Sequence, residues 1–374
     1  MNRGSLASAN VLKRHCHHVI DALGARTPPE AFLFRGNAYM ALGQPYFALA
    51  DYNTAAQVLQ LSGQHQQRCR KALEFFPELQ VGTYPADNSH LHIHVHPYLD
   101  ENCEVTMISN DVGRGLVAKE NIMQGKVVVR RADPWLRYPV NDRMCAYCAG
   151  ALPERFFTCA NPKCHEEYCS RDCRTMALSL YHSRTCSCEG LQALELDMYS
   201  QMKASESITE KNAAAAQLLM LRVLSVSLQQ QIVPTALSEM RILSGRLLFH
   251  PKTLAGCFLE IYERFTRACG TATSITYEEM VGILARVTAN CFHRENCVEL
   301  CLPRSMLNHS CEANVAEDVQ TGDLKTTQDV PRGRELTINY YPQLKHLDYL
   351  ERSQELKRRG FTCLCHRCKR EKSS

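Results

Sequence analysis

"LNHSCEANV", residues 307–315, places Asn, His and Ser directly after the largely apolar "VELCLP" of 298–303. An apolar run of this kind is expected to be buried, so its polar successors need hydrogen-bond partners. Cys311 makes the sharper demand. Flanked by polar groups, it has the setting of a metal ligand, yet no second Cys or His follows at ligand spacing, and its co-ligands must come from elsewhere.

Working outward, the chain closes with "CLCHRC", in which Cys363, Cys365 and Cys368 supply three thiolates. A closed structural zinc site takes four ligands. Cys311 is the expected fourth; His366 is the alternative, disfavoured because Cys365 already binds and adjacent side chains point apart. A zinc ion joining 311 to 363–368 would fold the tail over Asn308 and His309 and make it one wall of a pocket. A second block carries "CAYC" (Cys145, Cys148), "CANPKC" (Cys159, Cys164), "YCSRDC" (Cys169, Cys173) and "HSRTC" (His182, Cys186), with Cys188 as a rival to Cys186. Eight soft ligands in four close pairs suffice for two tetrahedral sites, so about three structural zinc ions are expected in all.

The 374 residues leave room for two or three domains, and an apolar content of 45% is that of an ordinary globular protein. A net charge of +4 without a clustered basic face argues against nucleic-acid binding. The first residues lack the apolar core of a secretory leader, and the longest apolar stretch, "AAAAQLLMLRVLSVSL" (213–228), is broken by Gln217 and Arg222. The expectation is a soluble protein of the cytoplasm, the nucleus or both, where twenty cysteines point to zinc and not to disulfides.

Residues 32–60 carry Gly36, Tyr39, Gly43, Ala48, Tyr52 and Ala55 at the offsets of one tetratricopeptide unit, with helices expected at about 6–23 and 64–76 on either side. A helical hairpin with coincidental spacing is the plainer alternative. In "SHLHIHVHPY" (89–98), alternate histidines would share one face of a solvated strand or loop; a metal site is disfavoured there, since such sites draw ligands from several elements. From 104, "EVTMIS", "LVAKE" and "KVVVRR" read as a small β meander. Helical periodicity follows the Cys-rich block and includes "YEEMVGILARVTANCF" (277–292), opened by a capping box of Thr276 and Glu279. Strands are expected to return only after 300, as a hairpin turning at Thr321, Gly322 and Asp323 and a buried strand "ELTINYY" (335–341), before a basic helix and the last Cys cluster.

With "GRG" (113–115), "NHSCEAN" (308–314), "GRELTINYY" (333–341) and "GFTCLCHRC" (360–368) in this order, and a MYND-like zinc block between the first two, the chain resembles the SET and MYND family of protein lysine methyltransferases, in its branch with N-terminal tetratricopeptide-like repeats. The resemblance covers about 104–370 and leaves out the C-terminal helical domain of several members. It implies an α+β fold, a SET-type β-sheet fold interrupted by a MYND module and a helical insertion. The parts are a tetratricopeptide-like helical segment (1–85), the N-terminal part of SET (104–143), the MYND zinc module (145–188), the helical SET insertion (189–300), the SET core (301–342) and a post-SET zinc-binding tail (343–374). In a MYND module the ligand pairs interleave, first with third and second with fourth. The gap inside "CANPKC" is four residues, longer than the two more typical of that family.

The resemblance also implies S-adenosylmethionine as methyl donor and a protein bearing a target lysine, histone or other, as substrate. Asn308 and His309 match the family's cofactor-binding pair, Arg114 and Gly115 its first cofactor loop, Asn290 another cofactor-contacting Asn, and Phe361 the tail aromatic near the adenine. Tyr340 matches the catalytic tyrosine of the methyl-transfer channel, where it also meets the cofactor. From the residues alone, Asn290 reads equally as a helix C-cap and Tyr340 as strand core. Two positions depart from the family: Ala313 replaces the usual Pro, and Arg334-Glu335 stands where a Glu pair is usual. A monomer is expected, with proline-containing peptides as partners of the MYND module and no membrane contact. The competing reading is a catalytically weak or inactive zinc adaptor that binds partners through the MYND module and the helical repeats.

Overall fold

Leu116, Val117 and Ala118 are all buried, because strand Gly113–Ala118 lies inside a sheet and not at its edge. The sheet runs Asn308–His309, Glu335–Ile338, Gly113–Ala118, Cys103–Ser109. The last three are antiparallel neighbours, whereas Asn308 and His309 run parallel to Glu335–Ile338, opposite Thr337 and Ile338. Segments near 114, 308 and 337 thus become adjacent, so that the motifs read in the sequence lie side by side.

The computed structural model describes residues 9, 11–16, 18–20, 28–42, 47–48, 51–52, 55, 79–84, 86–109, 112–249, 255–270, 275–358 and 361–372. The chain divides into two compact units, one of 1–84, 138–240 and 245–289, the other of 85–137, 241–244 and 290–374.

The second unit holds that sheet and a smaller one, in the order Val315–Glu317, Leu324–Thr326, Val127–Val129. The hairpin between its first two strands turns where expected. Gly322 has φ +76°, a left-handed conformation that favours glycine, and Asp318 Oδ1 accepts from the Gln320 and Thr321 amides. Three expectations are corrected in this unit. The histidine run forms a helical turn, Leu91–His94, followed by a 3₁₀ turn, His96–Tyr98. What decides it is the burial of Leu91 and Val95, one helical turn apart, and not the alternation of the imidazoles. Strands also return before 300: Cys297–Leu300, buried at every position, pairs with Cys291–His293, so the helical insertion expected over 189–300 ends in a β ribbon. Finally, the strand expected over 335–341 stops at Ile338.

In the first unit, helices Glu189–Ala204, Ile208–Gln230, Ala255–Cys269 and Tyr277–Asn290 supply most of the core. Thr276 and Glu279 form the expected capping box, with the Thr276 amide 2.7 Å from Glu279 Oε2 and the Glu279 amide 3.2 Å from Thr276 Oγ1. Leu79–Tyr84 and Gly245–Phe249 pair antiparallel, a strand at the end of the 1–85 segment and another inside the insertion that helical periodicity did not signal. No described helix is long and apolar enough to cross a membrane.

Helix Pro29–Ala41 carries Gly36, where an added Cβ would stand 2.6 Å from Tyr52 Cε1. The small residue therefore permits the close approach its spacing suggested. Tyr39, Ala48, Tyr52 and Ala55 are buried as well; Gly43 and the helix expected at 64–76 lie outside the described residues. Residues 9, 11–16 and 18–20 are helical, within the expected 6–23. A buried ion pair joins Arg35 and Asp51, at 2.7 Å from Nη2 to Oδ1 and 2.8 Å from Nε to Oδ2. Removing one member of such a pair strands the other's charge, whereas replacing both removes the problem. Arg35→Met is expected to lower stability by about 3–5 kcal/mol in urea unfolding, and Arg35→Met with Asp51→Leu to recover more than half of it. A double-variant loss equal to the sum of the Arg35→Met and Asp51→Leu single losses would show that the pair is not coupled.

Candidate functional site

Three groups of four soft ligands converge: Cys145, Cys148, Cys169 and Cys173; Cys159, Cys164, His182 and Cys186; and Cys311, Cys363, Cys365 and Cys368, each with its ligand atoms within 4.8 Å of one another. The first two show the interleaving of pairs. Strands Phe157–Thr158 and Glu167–Tyr168 form the hairpin between them, and Ser170 Oγ caps helix Arg171–Ala177 by accepting from the Cys173 amide at 3.0 Å. Cys186 is in the second group, 3.4 Å from Cys159 Sγ, while Cys188 points its thiol at Ala268 O.

The surroundings of these groups suit a cation. The hydrogen bond between Cys145 and Cys148 draws the Cys145 thiol well below the usual thiol range and pushes Cys148 up, so that one sulfur of the pair is the more ready to ionise. The Gly150 and Glu166 amides and Asn161 Nδ2 donate to Cys148, Cys164 and Cys186. His182 offers Nε2, 3.4 Å from both Cys159 and Cys164. Its buried Nδ1 lies 3.1 Å from Glu166 Oε2 without forming a hydrogen bond of good geometry. A histidine that binds metal through one nitrogen and faces a carboxylate with the other is the usual support of a zinc site. Glu166 is itself gripped by Arg222, 3.1 Å away, and by the Tyr168 hydroxyl at 2.5 Å. The sequence reading treated Arg222 only as a break in an apolar run; a lone charge at the centre of such a run was the available signal of a buried ion pair.

The third group joins sheet to tail. Cys311 Sγ lies 3.8 Å from Cys363 and 3.6 Å from Cys368, so Cys311 is the fourth member of the group that could hold a metal; His366 lies outside it. Arg352, nearly fully buried, points Nη2 at Cys368 Sγ and at Glu371.

Beside this group the chain assembles an aromatic wall. The His309 ring is 5.3 Å from Tyr340, 6.1 Å from Tyr341 and 5.4 Å from Phe361, and Phe361 stacks on Tyr341. Because the strand stops at Ile338, Tyr340 and Tyr341 are not on opposite faces of a strand, and both belong to the wall. Tyr340 donates its hydroxyl to Leu307 O at 2.6 Å, and burial raises its pKa, so it remains a neutral phenol. Phe292 meets Tyr340 edge-on at 6.1 Å and carries the Arg304 guanidinium on its face at 4.9 Å, two contacts the sequence reading missed.

Asn308 uses its amide hydrogens inside the protein, on Arg114 O and Glu335 Oε1, both at 2.8 Å. Gly115 makes this possible, since a Cβ there would come within 2.6 Å of Glu335 Oε1 and 2.8 Å of Asn308 Nδ2. Arg114 hydrogen-bonds Asn88 and Ile242 O, and Asn290 donates to Ser244 O at 2.7 Å. The two side chains thus clamp the 241–244 segment, while Asn308, His309, Tyr340 and Phe361 gather at the sheet end.

A family model described as "SET domain" matches residues 113–341, and the chain belongs to that family. Over 69 residues it is 38% identical to "Histone-lysine N-methyltransferase SET5" of Eremothecium gossypii, a stretch that is 18% of this chain and 14% of that relative. Among solved structures it is similar to the SET domain of LSMT bound to lysine and AdoHcy, with 13% identity and a TM-score of 0.31, over 67% of this chain and 52% of that one.

Metal analysis of purified protein is expected to find about three zinc ions per chain. Cys186→Ser should lower the content by about one ion and Cys188→Ser should leave it intact. The reverse pattern would reassign the second site.

Proposed function

We propose that the protein is a lysine methyltransferase that moves a methyl group from S-adenosylmethionine to a lysine side chain of a protein substrate. The observation that carries this reading is the Tyr340 phenol, buried, neutral and pinned to Leu307 O, at the end of a SET sheet and against the His309–Phe361 wall. S-adenosylmethionine supplies an electrophilic methyl on a sulfonium. The wall suits such a cation. Its rings are uncharged, burial holds His309 down to about pKa 4, and π faces attract positive charge. Phe361 and Tyr341 would hold the adenine, and the backbone at Arg114–Gly115 and Asn308–His309 the rest of the donor, with Asn290 fixing the 241–244 segment beside it.

The acceptor amine must lose its proton before it attacks. A free lysine, with a pKa of about 10.4, needs roughly 4–5 kcal/mol for this at neutral pH, less in an apolar channel that disfavours the ammonium. Tyr340 does not take that proton, since burial raises its own pKa. With its hydrogen on Leu307 O, the phenol oxygen can accept from the amine N–H and so aim the nitrogen lone pair, a contribution of position and not of base strength.

The 145–188 zinc region is read as a MYND module and 32–60 as a tetratricopeptide-like unit. Phe156, Phe157 and Met176 are exposed on the zinc region, a surface for proline-containing peptides. A monomer working in the cytoplasm, the nucleus or both remains the expectation. Tyr340→Phe keeps the ring and deletes the acceptor. It should lower turnover by about one to three orders of magnitude in labelled-methyl transfer to a mixed pool of cell proteins, with cofactor affinity nearly constant by calorimetry. Wild-type protein that binds cofactor yet labels nothing across a broad pool would favour the adaptor reading.

A further inference from the structure

Both nitrogens of the His309 imidazole are engaged, and the two partners settle where its proton is. The Tyr340 backbone N–H approaches Nδ1 at 3.1 Å, and since a backbone amide can only donate, Nδ1 carries a lone pair. With Nδ1 bare, the proton of the imidazole sits on Nε2. Nε2 in turn lies 3.5 Å from Cys311 Sγ, within reach of an N–H···S hydrogen bond. Cys311, in the turn just after strand Asn308–His309, is the member of the group that comes from outside the tail. A continuous path of contacts therefore runs from the tail thiols through one imidazole to the backbone that carries the Tyr340 phenol.

From this geometry we propose that His309 is a positioning residue that couples the metal state of the tail to the methyl-transfer channel. Its Nε2–H donates to the Cys311 thiolate, and its Nδ1 holds the Tyr340 amide in place. The donor bond removes charge from a sulfur that shares a cation with three other thiolates, the kind of support whose loss weakens metal sites. The acceptor bond fixes the main chain between Ile338, where sheet pairing ends, and the phenol, whose hydroxyl donates to Leu307 O. Loss of the tail cation would therefore be felt at Tyr340 without any rearrangement of the sheet. The catalytic half of this inference rests on the methyltransferase reading; the tautomer and the metal half stand apart from it.

Two isosteric substitutions separate the two bonds. Asn places its amide near the position of Nδ1, so His309→Asn retains an acceptor for Tyr340 and loses the donor to Cys311. Gln reaches the position of Nε2, so His309→Gln does the opposite. Zinc release from the full-length protein to a chromogenic chelator gives the first readout, with the phase missing from Cys311→Ser identifying the tail ion. That phase should quicken by about tenfold in the Asn variant and stay near wild type in the Gln variant. Methyl transfer gives the second: the Gln variant should lose kcat with little change in KM. The third needs no variant. Long-range proton–nitrogen NMR of the wild type should show Nε2 protonated and Nδ1 bare across about pH 6 to 8. A proton on Nδ1, or equal zinc-release rates in the Asn and wild-type proteins, overturns the coupling. A silent transfer assay with the other two results as expected overturns the methyltransferase reading and leaves the metal coupling standing.

Discussion

Cys311 and Cys368 approach to 3.6 Å across 57 positions of sequence, and the wall built over the sheet depends on that closure. The apolar core under the tail is small, with Leu344, Leu356 and the two thiols as its buried members, and Tyr341, Leu347, Tyr349 and Phe361 packed around them. A cluster of this size contributes too little burial to hold a segment by itself, which is the situation in which small structures rely on a metal. Four thiolates around one divalent ion carry a net charge of −2, and burying it requires donors. Arg352 supplies one from the tail, at 3.7 Å from Cys368, and His309 faces Cys311 from the sheet. Phe361 reaches the His309 ring because the tail is tied there.

The first unit meets the same problem with a different solution. Arg222 is buried within the long helix, its guanidinium 4.6 Å from the Tyr138 ring and 4.3 Å from Tyr181, and it bonds Glu166 and Ala146 O. An unpaired charge so placed would be very costly, and this one is compensated by two carboxylates, a carbonyl and two aromatic faces. Because Glu166 also faces His182, the packing of helix Ile208–Gln230 and the geometry of the second ligand group are one arrangement. Disturbing either is felt in both.

Much of this was legible in the sequence where the signal was chemical. The twelve candidate ligands stood out as soft donors in close pairs, their interleaving was what the resemblance to a MYND module implied, and the hairpin turned where Gly322 supplies a left-handed conformation that favours glycine. Where a pattern depends on what packs against it, the reading failed. "ELTINYY" has the composition of a seven-residue strand, yet sheet pairing stops at Ile338, and both tyrosines turn toward the tail. The histidine run alternates, but Leu91 and Val95 decide its structure by burial at helical spacing. The roles of Arg222, Glu166 and Arg304 lie in contacts between residues far apart in sequence, which periodicity does not encode.

The two departures from the family pattern gain a physical explanation at the sheet end. Ala313 forgoes the rigidity of proline, and the next residue supplies a substitute: Asn314 Nδ2 donates to Glu335 O, and its Oδ1 accepts from the Thr337 amide, both at 2.8 Å. Two hydrogen bonds from one amide stitch the turn to the strand where a fixed φ would have stiffened it. In Arg334-Glu335, only the second position faces inward to the site, where its Oε1 accepts from Asn308. Burial raises the Glu335 pKa and the hydrogen bond from Asn308 opposes that shift, so a second carboxylate beside it would add repulsion to a position already costly for charge. Arginine at 334 avoids that repulsion, its positive charge favouring the ionised Glu335 while the Asn308 contact is kept. The bonds that order the Asn308–His309 strand are thus complete without either family residue.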